Sequence, residues 1–408
     1  MEKIYNKNDI LEEIFTRAMK GPQIFKNKSV LFHDYIPRRL LFREDQISRM
    51  GYLFSYLIRN QRSSNLFIYG KPGTGKTAVT RYVVSRLDKI SKKINRPLRI
   101  SYVNCRLAGT EYRAASALAK DVELQVPFTG LAVREVFERF KLKVFSDRYP
   151  VLVILDEVDA LVSRYGDDLL YGLTRMNDET EKANVMIIGI SNDVQFKEYL
   201  DPRVLSSLSE EEVVFKPYTP EELESILWDR VSTGFRDGTI SREAVTLCAA
   251  ISGAEHGDAR KALDLLRVAG ELAENEGSEE VSIRHVNAAR ERIEQNRVVE
   301  VIRSLPLHSK LVLTAVIESL PSPEGRVKNS ITYGKYSILA RDFAGQALSS
   351  RRFFGLVKEL SVLGLLDRRI ENYGRRGGRV TTIALDIPMN MIRDSLIEDP
   401  VIGELFNT

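Results

Sequence analysis

The 408-residue chain is 43% hydrophobic and 28% charged, which excludes a mainly disordered polymer and allows two or three domains at roughly 150 residues each. Its apolar runs are short, Val151–Leu155 being typical, far below the roughly 20 residues of a membrane helix; the first 25 residues do not read as a secretory signal, and two cysteines, Cys105 and Cys248, exclude a disulfide framework or structural zinc. The net charge of +4 is unevenly placed. Residues 326–379 hold twelve Lys/Arg against four Asp/Glu, leaving the other 354 residues at −4, the asymmetry of a basic nucleic-acid-binding appendage or of a solvated basic face. These features predict a reduced, intracellular chain without a membrane partner.

From Asn65 to about Lys216, short apolar runs alternate with helical periodicity. The runs are Asn65–Tyr69, Arg99–Asn104, Val151–Leu155, Val185–Ile190 and Val213–Phe215, with periodic segments such as Ala78–Leu87 and Val133–Val144 between them. Continuous apolar strands alternating with helices predict an α/β domain with a parallel sheet covered on both faces. Pro217 and Pro220 close it. Thr219 then caps a helix with Pro220 at its first position and Glu221 and Glu222 at its positive end. Further helices are predicted at Ser241–Ser252, Asp258–Asn275 and Ser282–Glu300, so the expected division is 1–217, 218–300 and 301–408. Trp228 is expected in the helical core, and His33, His256, His285 and His308 lack metal-ligand spacing.

Directly after the first strand stands Gly70-Lys71-Pro72-Gly73-Thr74-Gly75-Lys76-Thr77-Ala78, a full match to the phosphate-binding loop. Its glycines let backbone N–H groups approach phosphates, and the following helix presents its positive end. Lys76 is expected to reach the β/γ-phosphates and Thr77 to ligate Mg²⁺. The apolar strand Val151–Leu155 runs into Asp156 and Glu157. Asp156 suits Mg²⁺ and Glu157 suits activation of the attacking water, although such a pair can also cap a helix. The next strand ends in Ser191-Asn192-Asp193, where an amide can bond both γ-phosphate and water; an Asx turn is the plainer alternative. Arg203 follows the Asp201-Pro202 turn and Arg260 opens a helix. Either can stabilise a transferring phosphoryl group or form a surface ion pair.

Beyond Pro306 lie three predicted helices, Pro306–Leu320, Lys335–Gln346 and Ser349–Leu363. In the third, Phe353, Leu356, Val357, Leu360 and Leu363 form the buried face, Ser349 and Ser350 cap, and Gly364 terminates. Arg351, Arg352 and Lys358 project elsewhere. Leu366–Glu371 and Arg379–Asp386 then flank a tip carrying Arg375 and Arg376. Three helices and a hairpin predict a winged helix whose third helix fits a major groove while the tip arginines Arg375 and Arg376 can enter a minor groove, with Arg379 at the start of the second run a further DNA-binding candidate. Protein contact is the alternative use of such a module.

Together these motifs resemble the AAA+ ATPases: phosphate loop, Asp-Glu strand, Asn strand, arginine after a proline turn, arginine on a helical lid. More narrowly the chain resembles the archaeal replication-initiator family related to the origin-recognition complex and cell-division-cycle loader ATPases. That likeness rests on Asp34-Tyr-Ile-Pro37 to Arg43-Glu44-Asp-Gln46, on Asp201–Leu208, on Gly257–Arg267, and on Leu348–Phe353 with Lys358-Glu-Leu and Leu363-Gly-Leu. The resemblance implies an AAA+ ATPase domain, an α-helical lid and a C-terminal winged helix. It places Ile36 and Pro37 near adenine, makes Asn192 the first sensor and Arg260 the second, and makes Arg203 a finger offered to a neighbouring subunit. It further implies an ATP-dependent initiator, slow in hydrolysis and nucleoid-associated in the cytoplasm, that binds ATP/ADP, Mg²⁺ and double-stranded origin DNA. Homologous initiator subunits and the replicative helicase are the implied partners. The stretch Pro127–Phe145 occupies the place of a DNA-contacting insertion. There Arg134, Arg139 and Lys141 are candidates for phosphate contact, and Val133, Val136, Phe137 and Phe140 form an apolar stripe that is core packing first. Leu41-Phe42 departs from the Pro-His common in relatives. A signal-responsive ATPase switch, which usually appends sensor repeats, and an ATP-liganded transcriptional regulator are the alternatives; a clamp-loading motor leaves the basic module without use.

Overall fold

The computed structural model describes residues 23–127, 129–147, 149–179, 184–208, 210–372 and 379–406. They form two compact units, one reaching to Ala288 and the other beginning at Ala289, the division lying inside the helix Ile283–Ser304.

In the first unit the strands β1 (Asn65–Tyr69), β2 (Arg99–Asn104), β3 (Val151–Asp156), β4 (Val185–Ser191) and β5 (Glu210–Val214) make one parallel sheet in the order β2-β3-β4-β1-β5. The three inner strands are buried along their whole length, which is why their sequences are unbroken apolar runs. Side chains alternate between two cores. Leu66, Ile68, Leu152, Ile154, Met186 and Ile188 pack on one face against α1 (Glu44–Ile58) and α2 (Lys76–Lys93). Phe67, Val153, Leu155, Val185 and Ile187 pack on the other with α3 (Glu111–Asp121) and α4 (Val133–Asp147).

Four helices follow: α5 (Pro220–Gly234), α6 (Arg242–Ala254), α7 (Ala259–Glu276) and α8 (Ile283–Ser304). Thr219 and Glu222 close a reciprocal capping box with Pro220 in the first turn, as the sequence predicts. Trp228 is half-buried rather than core, because Leu223, Leu227 and Val231 already fill the inward stripe of α5. The segment Ile24–Leu31 packs on this helical body: Ile24 and Phe25 N–H groups donate to Glu274, Lys26 and Asn27 to the Gly234 carbonyl.

The second unit contains α9 (Leu307–Ser319), β6 (Val327–Lys328), α10 (Asn329–Ala344), α11 (Ser350–Val362), β7 (Leu366–Asn372), β8 (Arg379–Leu385) and α12 (Met389–Ile397). Its antiparallel sheet runs β6-β8-β7. The core is built from Leu311, Val312, Tyr336, Phe353, Val357, Leu360 and Ile383. Ser349 caps α11 through the Arg352 N–H, and Gly364 takes φ +72° just beyond it. This is a winged helix. Among the described residues no helix is long and apolar enough to cross a membrane.

Candidate functional site

The carboxyl ends of the strands and the lid helices enclose a cavity of ≈ 410 Å³, the position at which open parallel sheets bind ligands. Gly73, Gly75, Thr77 and Ala78 line it from the phosphate loop, Asp156 and Glu157 from β3, Ile36 and Pro37 from the N-terminal segment, and Arg230, Arg260 and Leu263 from the lid. Gly75 takes φ +91° and starts α2, so the positive end of that helix faces the cavity. Gly73 takes φ +75°, and a Cβ there would lie 1.8 Å from Asp258 Oδ1. Asp258 is the N-cap of α7, accepting from the Arg260 and Lys261 N–H groups, and the Ala259 N–H donates to the Gly73 carbonyl at 3.2 Å. The lid helix therefore docks directly on the phosphate loop, and Gly73 is the contact that lets it do so.

Lys76 is buried, its Nζ donating to the carbonyls of Gly70 at 2.5 Å and Lys71 at 2.8 Å. Burial pulls its pKa down to about 8, nearby Arg260 adds to the effect, and Asp156 opposes it. Thr77 Oγ1 donates to Asp156 Oδ2 at 2.9 Å. Its proton being so engaged, its lone pairs are turned outward, and a hydroxyl and a carboxylate side by side are the hard oxygen donors suited to Mg²⁺ completed by phosphate and water. Two such donors leave most of the cation's coordination to phosphate and water; among the described residues there is no group of three or more His, Cys, Asp or Glu arranged to hold a metal. Glu157 sits at the N-cap of the helix Val158–Tyr165 with φ +53°, a strained conformation of the kind that gathers at functional sites; its carboxylate lies 3.5 Å from Arg106 Nη1.

Gly70, Pro72 and Thr74 belong to the loop but not to the cavity lining; Thr74 is fully buried and Pro72 exposed. Asn192 also lies outside the lining. It follows β4, between β1 and β3, with its N–H donating to Asp159 Oδ1 at 3.4 Å. Arg203 is 78% exposed and paired fork-to-fork with Asp201 two residues earlier. Arg260 is exposed at the cavity.

Local sequence reasoning missed several contributors. Arg43, only 4% exposed, donates to the carbonyls of Phe42, Thr74 and Lys216 and stacks 3.7 Å from the Tyr218 ring centroid. It clamps the phosphate loop to the chain entering the lid. Burial lowers its pKa, and Tyr218 and Glu222 oppose that shift. Tyr102, Arg81 and Arg106 also line the cavity. The only signal for Arg43 was its place in the Arg43–Gln46 segment.

On the winged helix, Arg351, Arg352 and Lys358 all lie exposed on α11, and no described residue forms an ion pair with them. Of the surrounding cations, Arg326 and Arg369 share Asp367 and Lys335 pairs with Glu318, whereas Lys328, Arg341 and Arg368 are exposed and likewise have no ion pair with a described residue. Arg375 and Arg376 lie outside the described residues, and Arg379 is defined by its backbone pairing with Asn372. On α4, Val136 and Phe140 are buried as the stripe requires, and Arg134 is exposed. Lys141 does not face outward for phosphate: Glu138 and Glu179 hold it at 2.8 and 2.9 Å with its side chain 12% exposed. Arg139 is paired with Glu135.

A parallel β2-β3-β4-β1-β5 sheet with phosphate loop, Asp-Glu strand and docked helical lid, together with a winged helix, defines the AAA+ ATPase class. Family models agree in each part: an AAA domain over residues 59–195, a Cdc6 AAA+ ATPase-type lid domain over 224–291, and a CDC6 C-terminal winged helix domain over 300–395. Similar proteins include ORC1-type DNA replication protein 1 of Sulfurisphaera tokodaii, 45% identical over 90% of this chain and 92% of that one. The ORC1-type DNA replication protein of Thermococcus kodakarensis is 42% identical over 98% and 97%. Among solved structures, that of the Aeropyrum pernix ORC1 protein in complex with DNA is 41% identical, covers 94% of this chain and 99% of that one, and superposes with a TM-score of 0.81. The chain belongs to the family of ORC1-type DNA replication proteins.

Proposed function

We propose that this chain is an ATP-dependent initiator that binds duplex DNA at replication origins and helps recruit the replicative helicase. ATP would lie in the cavity between sheet and lid, with its phosphates against the 70–78 loop and its base near Ile36 and Pro37. Lys76 and Arg260 would carry the β/γ charge. When bound through Thr77 and Asp156, Mg²⁺ would neutralise the phosphate oxygens as the leaving charge develops. Glu157 would orient and deprotonate the attacking water, and Asn192 would align it without adding charge. Arg203, on the surface and away from its own cavity, suits a finger offered to a homologous subunit's nucleotide, so an isolated copy would hydrolyse ATP slowly. The working division is 1–217, 218–300 and 301–408, in a cytoplasmic protein associated with the nucleoid.

The observation that carries the DNA reading is the run of exposed, unpaired cations on the winged helix. Arg351, Arg352 and Lys358 on α11 are exposed without a described acidic partner, as are Lys328, Arg341 and Arg368, while Arg326 and Arg369 share the single carboxylate of Asp367 and Lys335 pairs with Glu318. Cations left unpaired on a third helix are the set that phosphate would neutralise, and the complex of Aeropyrum pernix ORC1 with DNA supports the reading. Replacing all three with Ala is expected to reduce the slope of log K against log salt by about 1 to 3 on duplex DNA. An unchanged slope would remove α11 from the interface.

A further inference from the structure

The end of β2 brings a residue to the metal side of the cavity that the phosphate-loop and carboxylate motifs do not include. The Tyr102 hydroxyl lies 2.6 Å from Asp156 Oδ2. Arg81, one turn beyond Thr77 on α2, places Nη2 3.0 Å from the same hydroxyl oxygen and its guanidinium carbon 4.8 Å from the Tyr102 ring centroid. A guanidinium has only donors, so Arg81 fills a lone pair of the Tyr102 oxygen and leaves the phenolic proton directed at Asp156. Thr77 donates to that same Oδ2. Two donors thus converge on one carboxylate oxygen, and no described residue bonds to Oδ1.

This arrangement does what neither donor does alone. One hydrogen bond leaves a carboxylate free to swing about its terminal torsion, which is broad and roughly two-fold. Two bonds from separate elements, α2 and β2, fix its plane and choose which oxygen turns away. Side chains that orient a metal-binding carboxylate in this way tune the metal without touching it.

We propose that Tyr102, itself oriented by Arg81, is a positioning residue for the divalent cation: it holds Asp156 so that Oδ1 faces the cation and its water shell. The assignment rests on the reading of Thr77 and Asp156 as the Mg²⁺ side of a nucleotide site. Arg81 lines the cavity, so the orientation of Asp156 is set from a residue lying against the nucleotide's own space.

The test is binding of a fluorescent ATP analogue to the 408-residue chain, titrated with Mg²⁺ after EDTA treatment. Tyr102→Phe keeps the ring and removes the hydroxyl. Its affinity is expected to fall less in EDTA than with Mg²⁺ present, while the Mg²⁺ concentration giving half-maximal tightening rises about tenfold. Arg81→Ala is expected to shift the midpoint in the same direction, and Arg81→Lys, which keeps a donor, to shift it less. A Tyr102→Phe midpoint equal to wild type overturns the assignment, as does an equal loss of affinity with and without Mg²⁺. Should Tyr102→Phe fail to fold, an unchanged midpoint in folded Arg81→Ala does the same. If wild type itself shows no tightening by Mg²⁺, the nucleotide-site reading fails first; tightening in wild type with an unshifted variant rejects the Tyr102 role alone.

Discussion

Gly73 is where the phosphate loop and the lid can be separated by a single methyl group. Its φ of +75° costs an alanine about 1–2 kcal/mol. The new Cβ would also sit 1.8 Å from Asp258 Oδ1 and 2.1 Å from Cγ, so the Asp258 side chain must leave. With it goes the N-cap of α7, about 1 kcal/mol, and the hydrogen bond from the Ala259 N–H to the Gly73 carbonyl, about 1 kcal/mol more. The part that undocks the lid is therefore about 2 kcal/mol of a total near 3–4 kcal/mol. Gly73→Ala is expected to weaken ATP-analogue binding by about 30-fold, at 1.4 kcal/mol per tenfold. Asp258→Gly removes the clashing carboxylate while glycine remains a fair cap, costing only a few tenths of a kcal/mol in that role. The double variant should thus bind about tenfold more tightly than the two single losses added together. Fluorescence titration of the four proteins reads this cycle directly. Strict additivity would mean that Gly73 and Asp258 do not meet, and the docking of lid on loop would be refuted.

Lys76 gives a pH signature. Its pKa of about 8 lies below the ordinary 10.5 because burial disfavours the charged form. Between those values the unfolded chain holds more protons, so the cost of burying this lysine is full below pH 8 and is relieved as pH rises toward 10.5. ATP requires the charged form, so affinity should fall as pH rises from 7.5 to 9.5, with proton uptake on binding near pH 8; calorimetry in buffers of different ionisation enthalpy measures it, and uptake of no proton would contradict the placement. Arg43→Ala leaves the Thr74 and Lys216 carbonyls without their donor, an expected loss of about 3 kcal/mol at 1–3 kcal/mol per buried group. Urea unfolding followed by Trp228 fluorescence should show it, and Arg43→Lys should not restore it, since an ammonium lacks the planar fork that reaches carbonyls on two separate segments while stacking flat on Tyr218.

The sheet was legible because β1, β3 and β4 are buried on both faces and therefore have unbroken apolar sequences. The α5 start was legible because its capping signals are adjacent in sequence. Edge strand β5 was placed late, its true start at Glu210 hidden by acidic residues that an edge tolerates. Helix α10 starts at Asn329 rather than Lys335, because Gly334 and the β-branched Ile331 and Thr332 mask helical periodicity. At the site, the loop and the Asp-Glu pair announce themselves by local spacing. Arg43 and Tyr102 do not, since the contacts that tie them to the site, Thr74 and Lys216 for Arg43 and Asp156 for Tyr102, lie 31, 173 and 54 residues away. Lys141 was misjudged for the same reason: one of its acids, Glu179, comes from another helix.

Duplex binding by the 408-residue chain, followed against salt concentration with ATP, with ADP and without nucleotide, tests the account most directly. The expected result is tight binding at low ionic strength, a steep loss of affinity with salt from neutralised phosphates, and different affinities for the ATP and ADP forms. Indifference to duplex DNA at low ionic strength in all three states would contradict the account.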